Sequence, residues 1–173
     1  AGNAIPDDAV DALARDLSGQ LIRPSDAAYD SARAVFNGMI DRRPGLIARP
    51  AGTADVVRCV KFARAHDLLV SVNGGGHSVQ GYGVCDGGLM IDFSLMKQIT
   101  VDPQARTAAA EAGVNWGEFD AATQEHGLAV TGGRMPTTGI AGLTLGSGSG
   151  WLERKLGYTV DNMLGAEVVT ADG

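Results

Sequence analysis

The stretch VNGGGHSVQGYGVCDGG, residues 72–88, holds seven glycines around one histidine, His77. Consecutive residues without a Cβ let backbone N–H groups converge on an anion, forming a nest that binds phosphate. An imidazole inside such a run adds a nitrogen nucleophile. A second run, GIAGLTLGSGSGW, spans residues 139–151. Both runs directly follow apolar segments, and two such loops suit the two halves of a dinucleotide pyrophosphate. Neither has the spacing of a G-x-G-x-x-G or G-x-x-x-x-G-K-[ST] loop. From Gly74 the required third glycine falls on Val79, from Gly146 it falls on Trp151, and no Gly-Lys dipeptide occurs. Rossmann and P-loop nucleotide binding are therefore disfavoured.

Other chemistries fit less well. A hydrolytic triad needs a nucleophile, a base and an orienting carboxylate, and the serines of GSGSG are misplaced for G-x-S-x-G. His66, His77 and His126 are too far apart for paired zinc ligands, so no metal site is expected. His77 has no acidic neighbour before Asp86. On its residues alone it reads as a structural, hydrogen-bonding histidine.

The elements that must position these loops read as follows. PDDAVDALARDLSG is a short amphipathic helix with acids in its first turn, and RPSDAAYDSARAVFNGMIDRRP a helical or irregular lead-in. LIARP is a strand stopped by Pro50, and Thr53 caps the helix TADVVRCVKFARAHDL. LLVSV leads into the first glycine run, and GGLMIDFS, QITVD and RTAAAEAG are strands, with DPQAR a turn. NWGEFDAATQEHGL is a helix with Asn115 as cap and Gly127 as stop. AEVVTA reads as a strand and Asp172-Gly173 as a hairpin turn, which asks for a further strand; a longer protein is therefore expected.

At 173 residues and 45% apolar, the chain can bury an ordinary core. Its 25 glycines suggest a chain that wraps closely around a ligand. A net charge of −6 argues against nucleic acid as a partner. No segment is long and apolar enough for a membrane span, and the polar N-terminal segment is unlike a signal peptide, so a cytoplasmic protein is expected. Cys59 and Cys85 are too few for a disulfide framework.

RPAGTADVVRCVKFARAHDLLVSVNGGGHSVQGYGVCDGGLMIDFSLM closely resembles the start of the FAD-binding domain of the berberine-bridge-enzyme-like oxidases, within the vanillyl-alcohol-oxidase/PCMH flavoprotein superfamily. The likeness continues through GLTLGSGSGWLERKLGYTVDNMLGAEVVTADG and covers roughly residues 46–173. It implies an α+β fold: a two-subdomain PCMH-type FAD-binding domain, incomplete at its C-terminus. A helical lead-in would occupy 1–45, a first subdomain about 46–100, and the start of a second about 101–173. The substrate domain, and the catalytic base with it, would lie beyond Gly173.

By this resemblance FAD is joined covalently to His77. Val72, Asn73, Gly74, Gly75, Gly76 and Ser78 form the phosphate loop, with Gly81 and Tyr82 nearby. MPTTGIAG, residues 135–142, matches the segment in which many relatives carry a second flavin-linking cysteine. Met135 stands at that position, so a single link is implied. Pro136, Thr137, Thr138, Gly139, Ile140 and Gly142 follow along the isoalloxazine, then Gly146, Gly148 and Gly150. Ser149 replaces an aromatic residue common in relatives. Trp151, Tyr158 and Asp161 fall in a stretch typical of the family, with structural roles as open as cofactor contact. Thr138 occupies the oxygen-gate position. The implied activity is oxidation of a small alcohol, amine or sugar by hydride transfer to FAD, with dioxygen as acceptor and hydrogen peroxide formed. A covalent-flavin dehydrogenase with another acceptor and a non-catalytic flavin-binding fragment are the alternatives. The partners implied are a small-molecule substrate, dioxygen, and the remainder of the polypeptide or a second chain.

Overall fold

Two short apolar runs, Leu46–Arg49 (β2) and Leu89–Asp92 (β4), are buried almost throughout. Continuous burial, rather than alternation, is what strands covered on both faces require. The computed structural model describes residues 5–173; the first four residues of the expected lead-in lie outside the described residues. β4 pairs in parallel with β2 and with Val70–Asn73 (β3), while Gln20–Ile22 (β1) adds antiparallel to the far side of β2. The order is β1-β2-β4-β3. A second, two-stranded sheet pairs Ile99–Asp102 (β5) with Thr107–Ala110 (β6).

The period of two divides the core of the first sheet. Leu46, Ala48, Leu89 and Ile91 face Val10, Leu13, Cys59 and Ala63 of two helices, Asp7–Asp16 (α1) and Thr53–Ala65 (α3). Ile47 and Met90 point the other way, into a cluster with Ile22, Tyr29, Ala32 and Val84. Tyr29 and Ala32 belong to a one-turn helix, Tyr29–Ala32 (α2), and Val84 comes from the glycine run itself. That run is thus fastened to one face of the sheet by core packing.

The described residues up to Leu95, with Val168–Gly173, form one compact unit, and Met96–Glu167 form another. In the second unit the β5–β6 turn is closed by Asp102, whose carboxylate accepts the N–H groups of Gln104 and Ala105, both at 2.9 Å. Trp116–Gln124 (α4) starts at Asn115, whose N–H donates to the Glu118 carboxylate at 2.7 Å, the return half of a capping box. Gly127, at φ +65°, ends the helical stretch. Two further short helices are Ile140–Leu145 (α5) and Glu153–Leu156 (α6).

Three expectations change. The lead-in carries a strand, β1, which three residues between Gly19 and Pro24 are too few to signal by periodicity. Thr53 is the first residue of α3 rather than its cap; Gly52 holds the cap position without a side-chain bond. AEVVTA is not a strand: no other segment pairs with it among the described residues, and Val168 is exposed. β-structure needs a ladder, and propensity alone does not supply one. A turn spans residues 170–173, with the Gly173 N–H donating to the Thr170 carbonyl at 2.8 Å.

Asp55, not Thr53, organises the start of α3. Its buried carboxylate accepts the N–H groups of Ser18 (3.1 Å), Gly19 (2.9 Å) and Ala51 (3.0 Å), and the Arg58 guanidinium at 3.0 Å. One side chain thereby ties the exit of α1 to the β2–α3 turn. Burial pushes its pKa up, but the three N–H donors and Arg58 outweigh this and hold it below the ordinary 3.8. A depressed folded value means stability that is present above the unfolded pKa and lost as pH falls through the folded one. Asp55→Asn should therefore cost about 2 kcal/mol at pH 7 in urea unfolding, as expected for hydrogen bonds to a charged group. The variant should also show less loss of stability than the wild type between pH 5 and pH 2; an unchanged acid limb would remove Asp55 from this role.

Candidate functional site

β3 is one of the two edge strands and delivers the chain to the first glycine run at the carboxyl end of the parallel strands. Open α/β sheets bind ligands at that end. Along β3, Val72 faces solvent while Asn73 is buried, with its Oδ1 lacking a hydrogen-bond partner among the described residues. Gly74, Gly75, Gly76, His77 and Ser78 follow, each partly exposed. Gly76 adopts φ +70° and Gly81 +74°, in the left-handed region that residues with a Cβ rarely enter. At Gly81 an added Cβ would also lie 2.7 Å from the Ile40 side chain. The Ser78 carbonyl and hydroxyl accept the N–H groups of Gly81 and Tyr82, both at 3.0 Å, which folds residues 78–82 into a tight turn. Tyr82 projects outward, 72% exposed.

Glycines have no side chains with which to hold this loop, and the lead-in does it for them. The Phe36 N–H donates to the Gly76 carbonyl at 3.1 Å, and Asn37 Nδ2 to the Val79 carbonyl at 3.0 Å. The Arg42 guanidinium reaches the carbonyls of Gly81 (2.6 Å), Val84 (3.0 Å) and Gln80 (3.3 Å). The Arg43 N–H donates to Asp86 at 2.7 Å and its carbonyl accepts the Gly87 N–H at 2.8 Å. The Phe36 ring stacks on the His77 imidazole, centroids 4.1 Å apart and planes 17° from parallel. Sequence reasoning missed Phe36, Asn37 and Arg42. They lie in a stretch without periodicity or motif, and bonds from side chains to distant carbonyls leave no local signal.

In the second unit, Met135, Pro136 and Thr137 are exposed, Thr138 and Ile140 are half-buried, and Gly139 is buried. The segment is zipped to the start of α4. The N–H groups of Trp116 and Gly117 donate to the carbonyls of Thr138 and Pro136, both at 2.9 Å, and the Ile140 N–H donates to the Val114 carbonyl at 2.9 Å. Thr138 N–H closes a turn on the Met135 carbonyl at 3.1 Å. Gly142 lies on α5 and Gly146 ends it. Gly148, at φ +75°, is pressed against Thr159, whose Oγ1 donates to the carbonyls of Thr131 (2.8 Å) and Gly148 (3.0 Å).

Ser149 and its neighbours acquire a packing role. Its hydroxyl bonds the Glu153 carboxylate, which also accepts the Gly150 N–H at 3.0 Å. Arg134 lies 3.7 Å from that carboxylate and over the exposed Trp151 ring, 5.4 Å from its centroid. Asp161 accepts the Tyr158 N–H at 2.7 Å and so closes a turn. Cys59 is fully buried, its thiol pushed up to about 12 by burial and then by Asp55. Cys85 is buried as well. A separate cleft of about 780 Å³ opens at the amino ends of the parallel strands, beside Gly45, Leu69 and Gly88, with none of the glycine-loop residues 72–82 in its wall.

The chain matches the family described as FAD binding domain over residues 44–173. It is 38% identical over 157 residues to (R)-6-hydroxynicotine oxidase of Paenarthrobacter nicotinovorans, covering 91% of this chain and 34% of that protein. A solved variant of Physcomitrella patens BBE-like 1 superposes with a TM-score of 0.90 at 32% identity, covering 95% of this chain and 36% of that one. Phl p 4, a grass pollen allergen with glucose dehydrogenase activity, superposes at 0.87 with 26% identity, covering 95% and 36%. Two solved variants of it are a glucose dehydrogenase and, with one further isoleucine-to-valine change, a glucose oxidase. The chain thus spans about a third of the length of these relatives.

Partial burial pushes the His77 pKa below the ordinary 6.5. The neutral ring is therefore favoured in the fold. The unfolded chain takes up a proton first, so this contribution to stability is present above pH 6.5 and lost as pH falls through the folded value. In an NMR titration of the protein, the His77 ring protons should show a midpoint below the ordinary 6.5. A His77 midpoint above 6.5 would contradict the burial seen here.

Proposed function

The chain belongs to the FAD-binding-domain family, in its berberine-bridge-enzyme-like branch, and on that premise we propose that it is the cofactor-binding part of an oxidase with covalently attached FAD. The observation that carries this reading is His77. A neutral imidazole, held on a glycine loop at the carboxyl end of a parallel sheet, is a competent nucleophile for a carbon electrophile. The substrate class proposed is a small alcohol, amine or sugar; dioxygen is the acceptor and hydrogen peroxide the product.

The residues present fit FAD. Gly74, Gly75 and Gly76 offer main-chain N–H groups without a Cβ in the way, as a pyrophosphate requires. The unpartnered Asn73 Oδ1 at the loop's base is an acceptor suited to a hydroxyl or amino group of the cofactor. Exposed Val72, Val79 and Tyr82 supply apolar surface beside it. Bound FAD supplies the chemistry of accepting a hydride from substrate and passing electrons to dioxygen. His77 anchors it and does not serve as the substrate base. Ser78 and Gly81 shape the loop, and Tyr82 stands at its rim. Met135, Pro136, Thr137, Thr138, Gly139, Ile140 and Gly142 are the proposed isoalloxazine contacts, followed by Gly146 and Gly148. Met135 has no thiol to form a second bond, so the attachment is single.

Acid precipitation of the holoprotein should carry the yellow colour into the pellet, and His77→Ala should leave it in the supernatant. Peptide mapping should place all attached flavin on the His77 peptide; an adduct on Cys59 or Cys85 would overturn the single-link assignment.

Oxygen access is assigned to Thr138. Its main chain is pinned through Trp116 and Met135, so the size of its side chain decides how much room remains. Threonine has nearly the shape of valine, and in the Phl p 4 variants an isoleucine-to-valine change accompanies the step from dehydrogenase to oxidase. In stopped-flow mixing of the reduced, intact protein with air-saturated buffer, Thr138→Val should reoxidise near the wild-type rate. Thr138→Leu should be slowed about tenfold or more, the effect of about 1.4 kcal/mol on a barrier. A wild type no faster than free flavin favours the dehydrogenase reading instead.

A further inference from the structure

We infer that Phe36 is a positioning residue for flavin attachment, setting the plane of the His77 imidazole. The inference rests on the attachment reading of His77. Phe36 precedes the segment matched by the FAD-binding family, which starts at residue 44. It is 65% exposed, although large and apolar, and its ring lies nearly parallel to His77 at 4.1 Å. A core-filling role does not account for a ring so exposed. Its main chain is fixed to the loop through the Gly76 carbonyl, and Asn37 repeats the attachment at Val79. The segment therefore registers the phenyl ring against the imidazole rather than merely leaving it nearby.

The physical argument concerns direction. The attacking lone pair of an imidazole lies in the ring plane. Its neighbours in the chain, Gly76 and Ser78, are small and add little bulk of their own beside the ring. An aromatic ring stacked on one face restrains rotation about the χ2 bond while staying out of the plane in which the new bond must form. Attachment joins a ring nitrogen of His77 to the flavin 8α-methyl carbon. The imidazole N–H and one methyl C–H are lost, and the two protons and two electrons released reduce dioxygen to hydrogen peroxide. Rates of such bond-forming steps are sensitive to misalignment of the reacting atoms, so losing the stacked ring should slow bond formation without abolishing FAD binding.

The test uses the full-length protein, obtained free of flavin from riboflavin-limited cells, as wild type, Phe36→Leu and Phe36→Tyr. FAD is added at saturation, and acid-precipitable flavin is followed with time. Noncovalent affinity is measured separately in the His77→Ala background, with and without Phe36→Leu. Leucine keeps apolar bulk and removes the ring, whereas tyrosine keeps the ring. Phe36→Leu should slow attachment about tenfold or more. Phe36→Tyr should stay within about twofold of wild type, and FAD affinity should be unchanged by the leucine. The ring-current shift of the His77 protons should vanish with leucine and persist with tyrosine. Attachment at the wild-type rate in Phe36→Leu overturns the inference, as does slowing that tyrosine fails to rescue. A loss of affinity that matches the loss of rate also overturns it, since Phe36 would then be a binding residue. A wild type without acid-stable flavin on His77 overturns the attachment reading itself, a result distinct from the other three.

Discussion

A loop made of glycines gains freedom of approach and loses every side chain with which to hold its own shape, so another segment must hold it. Here that segment is the lead-in. Arg42 binds three carbonyls of the loop, and Phe36, Asn37 and Arg43 add bonds spaced along residues 76–87. A guanidinium suits this task because its planar fork of five donors can serve several carbonyls at once. Lysine would offer a point charge without that geometry. Val84 completes the fastening by entering the core beneath the sheet. The stretch before residue 44 is therefore part of the site's construction, although no site residue was expected in it.

The same problem is solved differently in the second unit. The Met135–Ile140 segment borrows order from α4: the free N–H groups at a helix start take the Thr138 and Pro136 carbonyls. Trp116, buried at that helix start, packs against Gly132 and Gly133, where an added Cβ would come within 2.8 Å of the indole ring. A large ring against two glycines lets the chain turn closely around it. Ser149 is accommodated within this logic. Its hydroxyl donates to the Glu153 carboxylate on the next helical turn, and Arg134 lies over the Trp151 ring.

The fold was legible where periodicity and burial agree. β2, β3, β4, the β5–β6 hairpin, α3 and α4 all follow from apolar runs and punctuation by Gly, Pro and Asn. What escaped has a common physical cause. β1 exists because β2 offers an edge, AEVVTA is not a strand because no other described residue pairs with it, and Asp55 ties the start of α3 to Ser18 and Gly19, 37 and 36 residues away. Each depends on a partner distant in sequence, and local composition does not encode such partners. The candidate site divides in the same way. Its glycines and His77 stand out by type, whereas Phe36 and Arg42 are ordinary residues made significant by what they touch.

The location of the site follows from strand polarity rather than from the size of any cavity. The 780 Å³ cleft lies at the amino ends of β2, β3 and β4, where the preceding turns of Gly45, Leu69 and Gly88 are already tied together. The Leu46 N–H is satisfied there by the Gly88 carbonyl and the Leu89 N–H by the Leu69 carbonyl, so those main-chain groups are spent on the sheet's own closure. At the carboxyl end the pairing stops at Asn73 and Asp92. Asp92 is taken up by Arg49 and Ser94, while Asn73 Oδ1, beneath the glycines, has no partner among the described residues. The sheet closes its amino edge with backbone bonds and keeps a buried polar atom at its carboxyl edge, where β3 runs on into the glycine loop that carries His77.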